Sequence, residues 1–191
     1  MIRQASGGEV SLGGSRRELV VLFTDIRGFT SFSEKRTPEE VVSMLNRYLG
    51  FQAEIVPRHE GSIDKFVGDE MVALFTGDRA LERAISCAVE IQRRIRQEHE
   101  TDPVPINIGI GINYGPVILG NMGAENRLDY TVISSEVNLG ARLCSAAEGG
   151  QILIRRELLD GFELSTEIVG TQMMSFKGVS TKLEIAEISS A

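Results

Sequence analysis

Leu19-Val20-Val21-Leu22-Phe23 is an unbroken apolar run that ends on Thr24-Asp25. A strand wetted on one face alternates apolar with polar residues, so a continuous run fits a central strand buried on both faces. The acid at its end then needs an explanation, because a carboxylate at the margin of a core is costly unless its charge is compensated. A second acid stands in a comparable place. Asp69 lies in Lys65-Phe66-Val67-Gly68-Asp69-Glu70, between two short strand-like segments.

The rest of the chain supplies the partners of such a strand. Thr37-Pro38-Glu39-Glu40 carries a capping residue, a proline suited to the first helical position and a capping-box glutamate. Val41, Leu45, Tyr48, Leu49, Gln52, Ile55 and Val56 follow at helical spacing. Pro57 is expected to kink or end this helix, and Gly61 to close it. Ile63 to Val67 and Met71 to Phe75 read as a hairpin turning at Gly68-Asp69. Asp78 is expected to cap a second helix, with its stripe at Leu81, Ala84, Ile85, Ala88, Ile91 and Ile95. Strands are expected over Ile106–Leu119, Tyr130–Ile133 and Gln151–Ile154, a helix over Val137–Ala146, and a closing hairpin between Phe162 and Ile188. The order is an α+β, ferredoxin-like β-α-β-β-α-β core with a C-terminal αβ extension. Residues 1–16, rich in Gly and Ser, read as a flexible linker, and 17–191 as one domain.

Composition excludes several classes. The 191 residues, 42% hydrophobic and 25% charged, suit one globular domain with a real core. Acidic residues outnumber basic ones, 27 to 20, for a net charge of −7, which argues against general binding of nucleic acid. No apolar run is long enough to cross a bilayer, and no signal peptide is seen. Cys87 and Cys144 fall in predicted helices and read as reduced, buried fillers of a cytoplasmic protein. His59 and His99 lie near helix ends, outside metal-ligand spacing, and are expected to be solvated.

Asp25 ends a strand and Asp69 tips a hairpin. In a ferredoxin-like core the first strand lies beside the hairpin, so the two carboxylates can converge. Carboxylates in oxygen-only surroundings suit Mg²⁺ or Mn²⁺, which take few protein ligands and leave room for phosphate oxygens. Taken singly, Asp69 also suits a turn and Asp25 a helix cap. The turn Ile26-Arg27-Gly28-Phe29-Thr30 between strand and helix offers backbone N–H groups as a seat for phosphate. Gly109, Gly111 and Gly115 lie inside a strand pattern with no helix directly behind them, which argues against a dinucleotide loop. Asn138 and Arg142, four apart, share a helix face and can orient a sugar hydroxyl and meet an oxyanion. Spacing alone favours an ordinary solvated face for them. Lys65 either snorkels or pairs with a specific partner. Lys177, in Phe176-Lys177-Gly178, suits a phosphate contact or a surface turn.

Three motifs resemble one family. Phe23-Thr24-Asp25-Ile26-Arg27-Gly28-Phe29-Thr30, Asp64-Lys65-Phe66-Val67-Gly68-Asp69, and Asp129-Tyr130-Thr131-Val132-Ile133 leading into Val137-Asn138-Leu139-Gly140-Ala141-Arg142-Leu143 look like the class III nucleotidyl cyclase catalytic domain. The likeness runs from about Arg17 to Ile188.

The resemblance implies that Asp25, Asp69 and the Ile26 carbonyl hold two Mg²⁺ or Mn²⁺ ions. It implies that Lys65 and Thr131 read the purine in the adenine pattern, where guanylyl cyclases place glutamate and cysteine. Asn138 would orient the ribose and Arg142 stabilise transition-state charge. Lys177, Arg127, Phe29 and Thr30 would contact substrate, the first two at phosphate. The implied reaction converts ATP to 3′,5′-cyclic AMP and pyrophosphate, in two composite sites of a homodimer. The Gly/Ser-rich start suggests an upstream regulatory region, with this chain expected in the cytoplasm, alone or as the cytosolic part of a larger protein. One departure stands out. Ser134-Ser135-Glu136 occupies a loop that usually carries Gly followed by Asp or a similar residue, a change of little cost if φ at Ser134 is negative. Guanylyl cyclase, a degenerate nucleotide-sensing or dimerisation module, and a metal-dependent phosphoryl hydrolase remain as alternatives.

Overall fold

The structure, a computed structural model, describes residues 13–100, 106–124, 127–162 and 166–191; side chains of 122–130 lie outside this set. The elements are β1 (Gly13–Ile26), α1 (Phe29–Ser33), α2 (Pro38–Arg58), β2 (Ser62–Val67), β3 (Glu70–Phe75), α3 (Ala80–His99) and β4 (Ile108–Ala124). Then come β5 (Arg127–Ile133), α4 (Ser135–Ala146), β6 (Ile152–Arg155), a 3₁₀ turn (Arg156–Leu159), β7 (Ile168–Met174) and β8 (Leu183–Ile188).

One sheet carries them all, in the order β2-β3-β1-β4-β6-β8-β7, with β5 folded back onto β4. Its first four strands form the ferredoxin-like core expected from the element order. β1 is antiparallel to both β3 and β4, and β4 runs parallel to β6. The unbroken apolar run of β1 divides by parity, as a doubly covered strand must. Val20 and Leu22 join Tyr48, Ile55, Phe75, Ile91 and Ile110 under α2 and α3. Leu19, Val21 and Phe23 join Val72, Leu74, Val117 and Cys144 on the other side, towards α4. Thr24, fully buried, hydrogen-bonds Gln52 Oε1 at 2.6 Å, and Gln52 in turn donates to Tyr48 O at 2.7 Å.

Helix α2 starts with the expected capping box. Glu40 N–H donates to Thr37 Oγ1 (3.3 Å), and Thr37 N–H to Glu40 Oε2 (2.8 Å). Four local expectations need correction. Asp78 does not cap α3; Arg79 holds that position at φ 58° with no side-chain cap bond. Gly61 is not the left-handed residue after α2, since Glu60 takes that conformation at φ 56°. Gly61 is small for a different reason: a Cβ there would lie 2.6 Å from the Phe75 ring. β1 begins at Gly13, inside the segment read as linker, because residues 13–16 pair with 118–121 of β4; residues 1–12 lie outside the described residues. Both histidines have partners: His59 Nε2 lies 2.6 Å from Glu90 Oε2, and His99 Nε2 2.7 Å from Ile106 O. Among the described residues no helix is long and apolar enough to cross a membrane.

The glycines of β4 explain how close α4 comes to the sheet. A Cβ on Gly111 would lie 2.2 Å from Cys144 N and 2.6 Å from Gly140 O, and one on Gly115 would meet Glu136 Cγ at 2.6 Å. Gly140 reciprocates, its missing Cβ leaving room for Val21 and Phe23. Helix and sheet therefore touch backbone to backbone.

Candidate active site

Asp25 and Asp69 converge. β1 pairs with β3, and the turn at Gly68 (φ +63°) between β2 and β3 brings Asp69 beside the end of β1. The Asp69 carboxyl is raised above its ordinary range, first by burial and then by the charge of the neighbouring Asp25. Glu70 is raised by burial and by both aspartates. These two acids, with Ile26, Gly28, Phe29 and Thr30, line one cleft of about 290 Å³. Gly28 adopts φ +73°, with which the strand turns directly into α1. A larger depression of about 420 Å³ lies between Phe32 and Tyr48 and contains none of the motif residues.

The donor set in the cleft is oxygen only. Among the described residues no group of three or more His, Cys, Asp or Glu side chains forms a ready metal cage. Two carboxylates and a backbone carbonyl fit a hard cation such as Mg²⁺, which keeps part of its shell for water or phosphate oxygens.

Lys65 and Thr131, 66 positions apart, meet: Lys65 Nζ donates to Thr131 Oγ1 at 2.5 Å. Asn138 stands exposed on the first turns of α4, and Arg142 lies one turn later, half-buried. The Arg142 guanidinium hydrogen-bonds the Lys177 carbonyl beside Gly178, whose φ is +77°. The turn carrying Lys177 is thus held against the helix carrying Asn138. The backbone of Arg127 lies in β5, and its side chain lies outside the described residues.

The loop that departs from the usual pattern is accommodated. Ser134 has φ −173°, extended backbone open to any residue, and its hydroxyl accepts from Glu136 N and Val137 N, both at 3.1 Å. It is the N-cap of α4. Glu136 is anchored by Asn113 Nδ2 at 2.9 Å and by Arg155 at 3.3 Å.

Two side chains in the quoted motifs had no role assigned from sequence. Arg27 pairs with the Asp25 carboxylate and reaches the carbonyls of Ser145 (3.4 Å) and Ala147 (3.1 Å), where α4 ends. Asp64 lies under the Lys65–Thr131 pair, 3.2 Å from Lys65 Nζ. Position within a motif was the only signal for either, since their partners are distant in sequence. Both cysteines are buried and free, as expected. Burial pushes each thiol up to about 12, so neither is a ready nucleophile.

This ferredoxin-like sheet with its C-terminal extension is the nucleotidyl cyclase catalytic fold. The structure matches that of the guanylyl cyclase Cya2 at TM-score 0.85 and 38% identity, covering 93% of this chain and 94% of that one. It matches the adenylyl cyclase CyaB from P. aeruginosa at TM-score 0.84 and 34% identity, covering 93% and 96%. The chain belongs to the adenylate and guanylate cyclase catalytic domain family, whose model it matches over residues 14–186. Among curated relatives, an uncharacterized protein of Mycobacterium tuberculosis (Rv1319c) is 36% identical over 137 residues, 72% of this chain and 26% of that protein. The chain therefore spans about a quarter of the length of such relatives.

Proposed function

We propose that this cyclase domain is an adenylyl cyclase, converting ATP to 3′,5′-cyclic AMP and pyrophosphate in two composite sites of a homodimer. The observation that carries the choice of purine is the Lys65–Thr131 contact of 2.5 Å. It supports a working base-reading pair of the adenine pattern, against the glutamate and cysteine that guanylyl cyclases place there.

Asp25, Asp69 and the Ile26 carbonyl would hold two Mg²⁺ or Mn²⁺ ions. Bound there, such ions supply activation of the ribose 3′-hydroxyl and neutralisation of triphosphate charge. The chain's own groups do the positioning. Backbone N–H groups of the turn from Gly28 to Thr30 would seat phosphate oxygens, with Phe29 at the wall of the same cleft. From the second copy of the chain, Lys65 and Thr131 would hold the base, and Asn138 the ribose. Arg142 would meet the charge that develops as pyrophosphate leaves, with Lys177 and Arg127 at the phosphates. The Arg142 bond to the Lys177 carbonyl uses one of five guanidinium donors, leaving others for an oxyanion. Net charge −7 argues against nucleic acid as partner. The reading places the domain in the cytoplasm, downstream of a regulatory region outside this chain.

The test incubates the protein with ATP or GTP, and Mg²⁺ or Mn²⁺, across protein concentration. Cyclic AMP with pyrophosphate is expected, at a specific activity that rises as the protein dimerises. Preferential formation of cyclic GMP would overturn the purine assignment, release of free phosphate the cyclase chemistry, and full activity in a demonstrated monomer the shared site.

A further inference from the structure

Asp64 interrupts a regular strand. The register of β2 against β3 slips between Ile63 and Lys65, and Asp64 is the residue left over. Bulges of this kind re-aim side chains. Here two consecutive side chains reach the same distant hydroxyl: Lys65 Nζ lies 2.5 Å from Thr131 Oγ1, and Thr131 Oγ1 lies 3.5 Å from Asp64 Oδ2. The Asp64 side chain is 5% exposed and that of Lys65 42%. Asp64 is thus the buried floor of the pair, and Lys65 is open to a ligand.

The chemistry of the three groups fixes the direction of their protons. An ammonium offers only protons, and a carboxylate only lone pairs, whereas a hydroxyl has one proton and two lone pairs. Lys65 occupies one lone pair of Thr131. The Asp64 carboxylate is the acceptor that the hydroxyl proton has among the described residues, at a separation long for an O–H···O bond. A ligand facing the pair therefore meets a lone pair from Thr131 and an N–H from Lys65.

We infer that Asp64 is a specificity-determining positioning residue, which orients the Thr131 hydroxyl so that the pair accepts a 6-aminopurine and rejects a 6-oxopurine. The inference rests on the adenylyl cyclase reading. Adenine presents an amino donor beside a ring-nitrogen acceptor, matching a lone pair beside an N–H. Guanine presents a carbonyl beside a ring N–H, so at least one polar group would face its own kind. Removing the Asp64 acceptor frees the Thr131 proton to turn towards a carbonyl.

The experiment measures kcat/KM of wild type and Asp64→Ala, which removes the acceptor, for ATP, GTP and purine riboside triphosphate, which lacks the 6-amino group. For wild type, loss of the amino group is expected to cost about tenfold, the size of one hydrogen bond. In Asp64→Ala that ratio is expected to fall below about threefold and the preference for ATP over GTP to narrow similarly. These ratios do not depend on the fraction of active protein, so a poorly folding variant still reports. Thr131→Val leaves Asp64 untouched and should show the same narrowed ratio between ATP and the analogue. A wild type preferring GTP would refute the adenylyl reading and this inference together. A wild type preferring ATP, with ratios unchanged in Asp64→Ala, would refute the role of Asp64 alone, and ratios unchanged in Thr131→Val would refute Thr131 as the reader of the amino group and Asp64 with it.

Discussion

Gly111→Ala is the sharpest test of how α4 is held. The added Cβ would lie 2.2 Å from Cys144 N, 2.6 Å from Gly140 O and 2.8 Å from Cys144 Cα. All three are backbone atoms, so no rotamer change relieves the clash. To reach an ordinary contact of 3.4 Å the helix must retreat by about 1.2 Å. Overpacking of this kind costs about 1–3 kcal/mol, which in a domain of this size lowers Tm by roughly 2–12 °C. The same retreat displaces Asn138 and Arg142. A misplacement of about 1 Å in a positioning group is worth roughly 100-fold in rate, so turnover should fall further than stability does. Thermal denaturation and initial rates with ATP, under conditions where the variant is fully folded, read the two effects separately. Gly50→Ala in α2 is the control. Nothing lies within 4 Å of its added Cβ, and helix propensity then favours Ala by about 1 kcal/mol. A Gly111→Ala protein with unchanged Tm and activity within twofold of wild type would refute the argument that this glycine sets the height of the helix.

Arg27→Ala removes the cation that neutralises Asp25 and ties it to the end of α4. The metal-free protein should lose about 1–2 kcal/mol, while Mn²⁺ alone, followed by the loss of its free EPR signal, should bind several-fold tighter. Unchanged Mn²⁺ affinity would sink this reading. The raised carboxyls of Asp69 and Glu70 mean that the folded chain binds protons at higher pH than the unfolded one. Stability of the metal-free protein from this source is therefore lost as pH rises from the ordinary carboxylate range through the raised values. Urea titrations from pH 4 to 8 should show Asp69→Asn gaining on wild type as pH rises, and parallel curves would contradict it. Ser134→Ala removes the cap of α4 and should cost about 1 kcal/mol, whereas Ser134→Gly should cost only a few tenths, a ranking that thermal melts check.

What could be read in advance was what short-range chemistry decides. The capping box of Thr37 and Glu40 needs only residues three apart. The two-residue turn at Gly68-Asp69 needs only a glycine at positive φ, and the doubly buried β1 needs only an unbroken apolar run. The misreadings have a common cause in distant partners. Residues 13–16 have linker composition, yet their backbone pairs with 118–121. Gly61 looks like a helix stop, yet its smallness answers to Phe75 at the end of β3. His59 looks solvated until α3 brings Glu90 to it. The glycines of β4 were legible as strand residues, but not as the surface on which α4 rests. At the site the same division holds. The acids and the helix pair were visible as motif residues, whereas Arg27 and Asp64 act only through groups brought to them by the fold.

That division bears on how the two acids coexist. Asp25 and Asp69 repel each other, and Glu70 adds a third acid beside them. Among the described residues, Arg27 is the guanidinium paired with this cluster. Arg27 is not a free counter-ion, because it also holds two carbonyls at the end of α4, the helix that carries Asn138 and Arg142. A cation arriving at Asp25 would compete with that contact, and any movement of Arg27 would be felt at the end of the helix. Charge at the acids and the seating of α4 are therefore coupled through one side chain. Ion binding and helix position should then respond together when Arg27 is changed, whereas Gly111, which meets the helix earlier at Gly140 and Cys144, bears on its seating without touching the acids.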